Sequence, residues 1–176
     1  MSDARWRGPD SLQQHLVEVG DVKPHPDNPR DGDIGAIAES VQAHGHYRPI
    51  GVSRDDVILA GNHTWQAIVQ LGWTHVAITR VPVTHQSPQA RRIMLADNRT
   101  AERASYDQQV LARVLQELAD EDGGLDGTGW DGDDLDKMLA ALAEPDAPDA
   151  FPSVDDDLET DYRCPKCGYE WSGSPS

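Results

Sequence analysis

One segment limits the possible folds of this chain more than any other: Val57-Ile58-Leu59-Ala60 followed directly by Gly61-Asn62-His63-Thr64-Trp65-Gln66-Ala67. Its first four residues are typical of a buried strand, and the residues after Gly61 are typical of a helix. A helix that begins there directs its free backbone N–H groups and its positive dipole end at one point, where glycine lets an anion come close. The segment therefore predicts an anion site, to which His63 adds a titratable donor and Thr64 a hydroxyl. A plain turn with a surface histidine is the alternative.

The patterns around this segment predict alternating strands and helices. We expect strands at residues 16–19, 49–53, 57–60 and 75–81. We expect one helix from Asp31 or Asp33 to Gly45, a second from about His63 to Leu71, and a third from Ser87 to about Arg99.

Charge is divided unevenly along the chain. Residues 1–104 carry 11 Lys/Arg, 12 Asp/Glu and all seven histidines, whereas residues 105–176 carry 4 Lys/Arg and 19 Asp/Glu, which accounts for most of the net charge of −16. Because affinity for duplex DNA comes largely from basic side chains on phosphate, any DNA contact is expected from the first part.

Composition and pattern divide the chain into five parts. Residues 1–15 are expected to be irregular, 16–104 to form a domain, 105–143 an acidic helical extension, 144–161 a Pro/Asp-rich linker and 162–176 a cysteine-containing tail. The extension has two amphipathic helices, capped by Asp107 and Asp131, and we expect the apolar stripe of each to pack against another apolar surface. No segment has the length of a membrane helix and the N-terminus lacks the apolar run of a signal peptide, so we expect a cytoplasmic protein without a membrane partner.

Three segments resemble, in order, the motifs of the ParB/sulfiredoxin-like domain. Residues 37–50, with Gly45 and Arg48-Pro49-Ile50 at their end, are similar to the family's first motif, which lies beside the nucleotide base. Residues 61–64 stand where the family has a Gly-x-x-Arg phosphate motif, and residues 97–99 where it has a Glu-Asn pair near magnesium and triphosphate. The resemblance covers residues 16–104 and continues loosely to 143, as in ParB-like proteins of phages and mobile elements; a phage-encoded chain would act in the host cytoplasm. It implies an α+β fold with a small mixed sheet flanked by helices.

The resemblance also implies a site for a nucleoside triphosphate, CTP or ATP, with Mg²⁺. The residues that would bind nucleotide and phosphate are Gly61, Asn62, His63, Thr64 and Arg99. Asp97 and Asn98 would hold Mg²⁺, since a carboxylate and an amide oxygen suit this ion; a solvated helix end is the alternative. The candidate catalytic residues are His63, Glu39 on the first helix and Asp27 in the Pro-rich turn, although Glu39 also fits a solvent face.

Two departures from the family pattern bear on function. Thr64 replaces the family arginine, so the guanidinium fork on the phosphate oxygens is missing and weaker nucleotide binding is expected. A long basic helix-turn-helix region is also missing, because the sequence after residue 104 is acidic.

Three functions remain open from the sequence. The first is nucleotide hydrolysis or phosphate transfer with Mg²⁺, on or near DNA. The second is a ParB-like DNA nuclease. The third is a non-catalytic adaptor that binds a DNA-modifying protein through the acidic helices; a homodimer is a further candidate assembly.

The two cysteines, Cys164 and Cys167, resemble one knuckle of a zinc ribbon. Two thiolates at this spacing supply half of a tetrahedral zinc site. A second chain, histidines of the main domain or a partner could supply the other half. Two ordinary reduced thiols are the alternative.

Overall fold

The computed structural model describes residues 6–143 and 160–173, which belong to two compact units, residues 1–143 and residues 144–176. The predicted linker at residues 144–161 lies outside the described residues except for its last two. Within the described ranges, no helix is both long and apolar enough to cross a membrane.

A four-stranded mixed sheet forms the base of the first unit. In sheet order the strands are β1 (Leu16–Glu18), β4 (His75–Arg80), β2 (Ile50–Val52) and β3 (Ile58–Ala60). β4 pairs antiparallel with β1 and parallel with β2, and β2 pairs antiparallel with β3. Each strand lies where the sequence predicts it and is one or two residues shorter.

Five helices accompany the sheet: α1 (Ile34–His44), α2 (Asn62–Gln70), α3 (Pro88–Glu102), α4 (Gln108–Ala119) and α5 (Gly132–Leu142). Four of these helices have a side-chain N-cap, in which a side-chain oxygen accepts a hydrogen bond from a backbone N–H of the first turn. The capping residues are Asp33, Ser87, Asp107 and Asp131. Such a cap is worth about 1 kcal/mol. It decides between the two candidate starts of α1 in favour of Asp33, whose Oδ1 accepts the Ala36 N–H at 3.0 Å.

The hydrophobic core lies between the sheet and the first two helices. Its buried members are Val22, Val41, Ile50, Val52, Ile58, Ile68, Val76 and Ile78. Trp65 of α2 packs against this cluster and its indole N–H donates to the Val19 carbonyl at 3.0 Å. α2 is thereby fixed on the sheet by its own buried face, which holds its N-terminus still.

The segment before the sheet is more ordered than its sequence suggests. Residues Asp10–His15 form a 3-10 helix in the part expected to be irregular. Six residues are too few for the 3.6-residue periodicity on which sequence reading relies.

The mixed sheet with flanking helices confirms the α+β class.

Candidate functional site

Several elements of the first unit surround an open cleft of about 850 Å³. The end of β3 and the first turn of α2 form one wall, and α1 with residues 45–50 forms another. Residues 97, 98, 100 and 101 of α3 and the loop 127–129 complete it. This volume is in the range of sites that hold small molecules.

The N-terminus of α2 opens into this cleft without a side-chain cap. Gly61 is its N-cap residue, with φ +90° and ψ 27°, and makes no capping hydrogen bond. The first backbone bond of the helix runs from the Trp65 N–H to the Gly61 carbonyl at 3.0 Å. The N–H groups of Asn62, His63 and Thr64 precede it and have no helical acceptor, so the positive end of the helix faces the cleft.

Packing, as well as ligand approach, requires glycine at position 61. A Cβ on Gly61 would lie 2.6 Å from Cγ2 of Ile50 on β2. The left-handed backbone and the close contact with β2 each demand glycine here, independently of any ligand.

Asn62 acts inside the fold through its side chain. It is 6% exposed, its Oδ1 accepts the His25 N–H at 2.9 Å, and its Nδ2 donates to the Ile58 carbonyl at 3.5 Å. The amide thus ties the Pro-rich turn to the start of α2. Only its backbone N–H remains for a ligand.

His63 holds the segment before α1 against α2. Its Nε2 donates to the Arg30 carbonyl at 3.1 Å. Its Nδ1 faces Gly32, where an added Cβ would lie 2.8 Å from that nitrogen. The ring lines the cleft and at the same time fixes the residues that carry Arg30.

Two arginines that the sequence did not single out as phosphate ligands line the cleft, Arg30 and Arg48. Both are exposed, and within residues 6–143 and 160–173 neither guanidinium has a hydrogen-bond or ion-pair partner. Arg99, the predicted phosphate ligand, is not among the cleft residues and pairs with Glu102 at 2.9 Å on the exposed side of α3. The basic side chains of the cleft therefore come from the turns around α1.

Asp97 and Asn98 of α3 do line the cleft. Nδ2 of Asn98 donates to Oδ1 of Asn28 at 3.2 Å, so the amide oxygen of Asn98 is left as an acceptor. In the described part of the chain no three His, Cys, Asp or Glu side chains cluster as metal ligands. The oxygens of Asp97 and Asn98 fit Mg²⁺, which takes one or two protein oxygens together with water and phosphate.

The other two candidate catalytic residues lie outside the cleft. Asp27 is exposed, and its carboxylate is 4.0 Å from the Arg91 guanidinium. Glu39 is exposed on α1 and is not among the cleft residues. Of the three candidates, the structure brings only His63 to the site.

His46 is a cleft residue that sequence reasoning missed. It is 2% exposed, and its Nδ1 accepts from the Trp6 indole at 3.4 Å and the Ala77 N–H at 3.3 Å. Burial lowers the pKa of His46, an effect that the nearby Arg48 carbonyl opposes. Because Nδ1 accepts two N–H groups, the proton of the neutral ring lies on the buried Nε2, which makes no hydrogen bond of full geometry within the described residues.

The second unit, described over residues 160–173, is a β-hairpin. β5 (Tyr162–Arg163) pairs antiparallel with β6 (Glu170–Trp171). The Cys164 N–H donates to the Tyr169 carbonyl at 2.7 Å, and the Gly168 N–H to the Cys164 carbonyl at 2.9 Å. Hydrogen bonds from the backbone N–H groups of Lys166 and Cys167, and from the Cys167 thiol, lower the pKa of Cys164.

The fold of the first unit is similar to that of ParB proteins of known structure, as expected from the sequence. Searches against family models and against curated proteins gave no match.

Solved structures of ParB proteins are similar to this chain. A C-terminally truncated chromosome-partitioning ParB from Caulobacter crescentus, complexed with CTP-gamma-S, matches with 19% identity and a TM-score of 0.61, covering 74% of this chain and 79% of that one. The same protein complexed to the centromeric parS site matches with 19% identity and a TM-score of 0.40, covering 74% of this chain and 73% of that one. The pNOB8-like ParB N-domain matches with 16% identity and a TM-score of 0.44, covering 72% of this chain and 56% of that one. The fold assignment rests on the first of these.

Proposed function

We propose that this chain binds a nucleoside triphosphate with Mg²⁺ in the cleft, with the phosphates at the N-terminus of α2. The observation that carries the proposal is the uncapped first turn of α2, whose three free N–H groups open into a cavity of about 850 Å³. Backbone N–H groups at a helix N-terminus are a general solution to phosphate binding. The Caulobacter ParB of the same fold is complexed with CTP-gamma-S, which supports the choice of nucleotide and makes CTP the first to test.

Arg30 and Arg48 take the place of the arginine that is missing at position 64. Thr64 offers the phosphates a hydroxyl and no charge. The two guanidinium groups at the cleft have no partner among the described residues, so they are available to a triphosphate. Since arginine binds phosphate oxygens with paired hydrogen bonds, they supply the charge that the motif itself has lost.

Asp97 and the Asn98 oxygen are the groups that would hold Mg²⁺. The ion would neutralise phosphate charge when bound. The carboxylate of Asp97 would otherwise repel a triphosphate in the same cleft, which makes binding dependent on the metal.

The nucleoside would lie along α1 and residues 46–49. This is the part of the cleft whose sequence resembles the base-side motif. The buried ring of His46 forms part of this wall.

Hydrolysis of the bound nucleotide is the reaction that this arrangement serves. Water would attack the terminal phosphorus, the bond to the leaving diphosphate oxygen would break, and the water proton would pass to solvent. The chain's own residues would hold the phosphates in place. Action near DNA is part of the proposal because the structural neighbour is a chromosome-partitioning protein.

The experiment measures thermal stabilisation of the full chain by each of four NTPs, with and without Mg²⁺. Wild type should be stabilised by at least one nucleotide with Mg²⁺. Arg48→Ala should weaken its affinity by about tenfold to a hundredfold, the value of a charge-assisted hydrogen bond. Arg99→Ala is the matched control and should bind like wild type.

Two further measurements separate the rival functions. Phosphate release reports hydrolysis, and nicking of a supercoiled plasmid reports the nuclease. If no nucleotide at millimolar concentration stabilises wild type, nucleotide binding is wrong and the adaptor is favoured. If Arg99→Ala loses binding while Arg48→Ala keeps it, the placement of the phosphates is wrong.

A further inference from the structure

The hairpin at residues 160–173 is too small to be held by a hydrophobic core. It consists of two strands of two residues each, joined by a turn at residues 164–169. An isolated two-stranded hairpin is marginal in water, and small units of this kind are usually stabilised by a disulfide or a metal. Both cysteines here are free thiols.

The turn has the geometry of a metal-binding knuckle. The chain reverses direction around the two cysteines, and the Cys164 N–H donates to the Tyr169 carbonyl at 2.7 Å. Gly168, with φ +78°, closes the turn through its bond to the Cys164 carbonyl. Two cysteines separated by two residues in such a turn have the spacing found in zinc knuckles.

One knuckle supplies two of the four ligands that a structural zinc site needs. The sequence contains no cysteine besides Cys164 and Cys167, and residues 160–173 contain no histidine. Glu170 pairs with Arg163 at 3.4 Å. Within residues 6–143 and 160–173 no three His, Cys, Asp or Glu side chains cluster as metal ligands, so the remaining two ligands would come from outside this hairpin.

We propose that two copies of this chain share one zinc ion, bound by Cys164 and Cys167 of each copy. Two identical knuckles related by a two-fold axis complete a tetrahedral four-sulfur site with no other ligand. Each zinc ion displaces the thiol protons of the four cysteines that bind it.

Charge and exposed aromatic surface support a second copy as the occupant. Residues 160–173 carry two basic and two acidic side chains, so two hairpins meet without the repulsion that the acidic part of the chain would cause. Tyr162 and Tyr169 stack on Trp171 at 5.7 and 6.2 Å between ring centroids, yet remain 43% and 68% exposed. This aromatic surface beside the cysteines is available for burial against its equivalent.

Native mass spectrometry of the full chain tests the proposal. Under reducing conditions with Zn²⁺ the expected species is a dimer with one zinc, and a chelator should return it to monomer. Cys164→Ser and Cys167→Ser should lose both the metal and the dimer. Lys166→Ala is the matched control: it keeps its backbone N–H, so it should retain both.

Replacement of zinc by Co²⁺ allows the number of thiolate ligands per metal ion to be determined from the absorption spectrum. Tetrahedral cobalt with four thiolates should show strong sulfur-to-metal charge-transfer absorption, with one cobalt per two chains. A monomer that carries one zinc would show that the same chain completes the site, and would overturn the proposal. A chain that retains no zinc, with both thiols open to alkylation, would overturn it as well.

Discussion

Gly61 combines two requirements in a single residue. Its φ of +90° places the chain in the left-handed region, which aligns the first turn of α2 with the cleft. The position of its missing Cβ is filled by Ile50 of β2. The residue that shapes the candidate phosphate site is therefore also part of the packing between the sheet and α2.

Replacement of Gly61 by alanine should destabilise the fold even without a ligand. The left-handed backbone and the 2.6 Å approach to Ile50 both oppose a Cβ. Their sum should lower the free energy of unfolding by about 2–5 kcal/mol. Chemical denaturation measures the change.

Gly72 provides the control. It also has a left-handed φ, +73°, but no atom lies within 4 Å of its absent Cβ. Gly72→Ala should cost only about 1 kcal/mol, the price of the backbone conformation. Equal effects at the two positions would contradict the packing role of Gly61.

Asp55 fixes the turn between β2 and β3 to the loop after β4. Its Oδ1 accepts the His85 N–H at 2.9 Å, and its Oδ2 accepts a hydrogen bond from Nδ1 of His85. The hydrogen bond with the His85 side chain lowers the pKa of the Asp55 carboxyl well below its usual range. The charged carboxylate is thus the form that the fold prefers.

This preference predicts a pH dependence. Because the folded pKa lies below that of an unfolded aspartate, about 3.9, the contribution to stability is complete above that value and is lost as the pH falls below it. Asp55→Asn should therefore flatten the fall in unfolding free energy between about pH 5 and pH 2. The exposed Asp31→Asn should leave the slope unchanged, and an unchanged slope in both variants would show that the Asp55–His85 pair adds nothing.

At the scale of elements, the loop between α4 and α5 forms part of the cleft. Gly127, with φ +71°, lies against the end of α1, where an added Cβ would be 2.5 Å from Cβ of Ala43 and 2.8 Å from Nε2 of His44. The acidic extension thus reaches the candidate site through a glycine-rich loop. Its position depends on the absence of side chains at the contact.

A side chain at position 127 should displace this loop and disturb the cleft. Gly127→Val is expected to weaken nucleotide affinity by about tenfold or less, because it moves one wall and leaves the phosphate-binding turn in place. Titration calorimetry measures the affinity. Gly129→Val is the control: Gly129 has φ +81° and also lines the cleft, but nothing lies within 4 Å of its absent Cβ. If both variants bind like wild type, the contact of Gly127 with α1 does not shape the site.

The sequence predicted the elements better than the site. Strands and helices follow from local patterns, and caps such as Asp33 and Ser87 follow from the residue preferences of helix N-termini. The cleft, in contrast, depends on which side chains distant segments bring together. Arg30 and Arg48 reach it from turns on either side of α1, and no periodicity marks them.

Arg99 and Asn62 are residues that the motifs predicted as ligands, but whose side chains the fold directs elsewhere. Arg99 belongs to the motif that resembles the metal corner, but the turn of α3 directs it outward to Glu102. Asn62 belongs to the phosphate motif, but its side-chain amide forms hydrogen bonds with the backbone of His25 and Ile58. A motif specifies positions along the chain, whereas the direction of each side chain depends on the helix face.

At the scale of the whole molecule, the distribution of charge sets the conditions for binding. The acidic helices α4 and α5 belong to a segment, residues 105–143, with ten acidic and two basic side chains, and their connecting loop borders the cleft. If the proposed function is right, a triphosphate would enter this acidic surrounding only with its own charge neutralised. The first turn of α2, the two cleft arginines and Mg²⁺ are the groups that can do so.

The most direct test of this account follows the backbone amides of the full chain by NMR while CTP or another NTP is added with Mg²⁺. The account predicts that the largest shifts occur at the N–H groups of Asn62, His63 and Thr64, and that they diminish when Mg²⁺ is removed. Shifts confined to other parts of the chain, or no shifts with any NTP at millimolar concentration, would contradict the placement of phosphate at the N-terminus of α2.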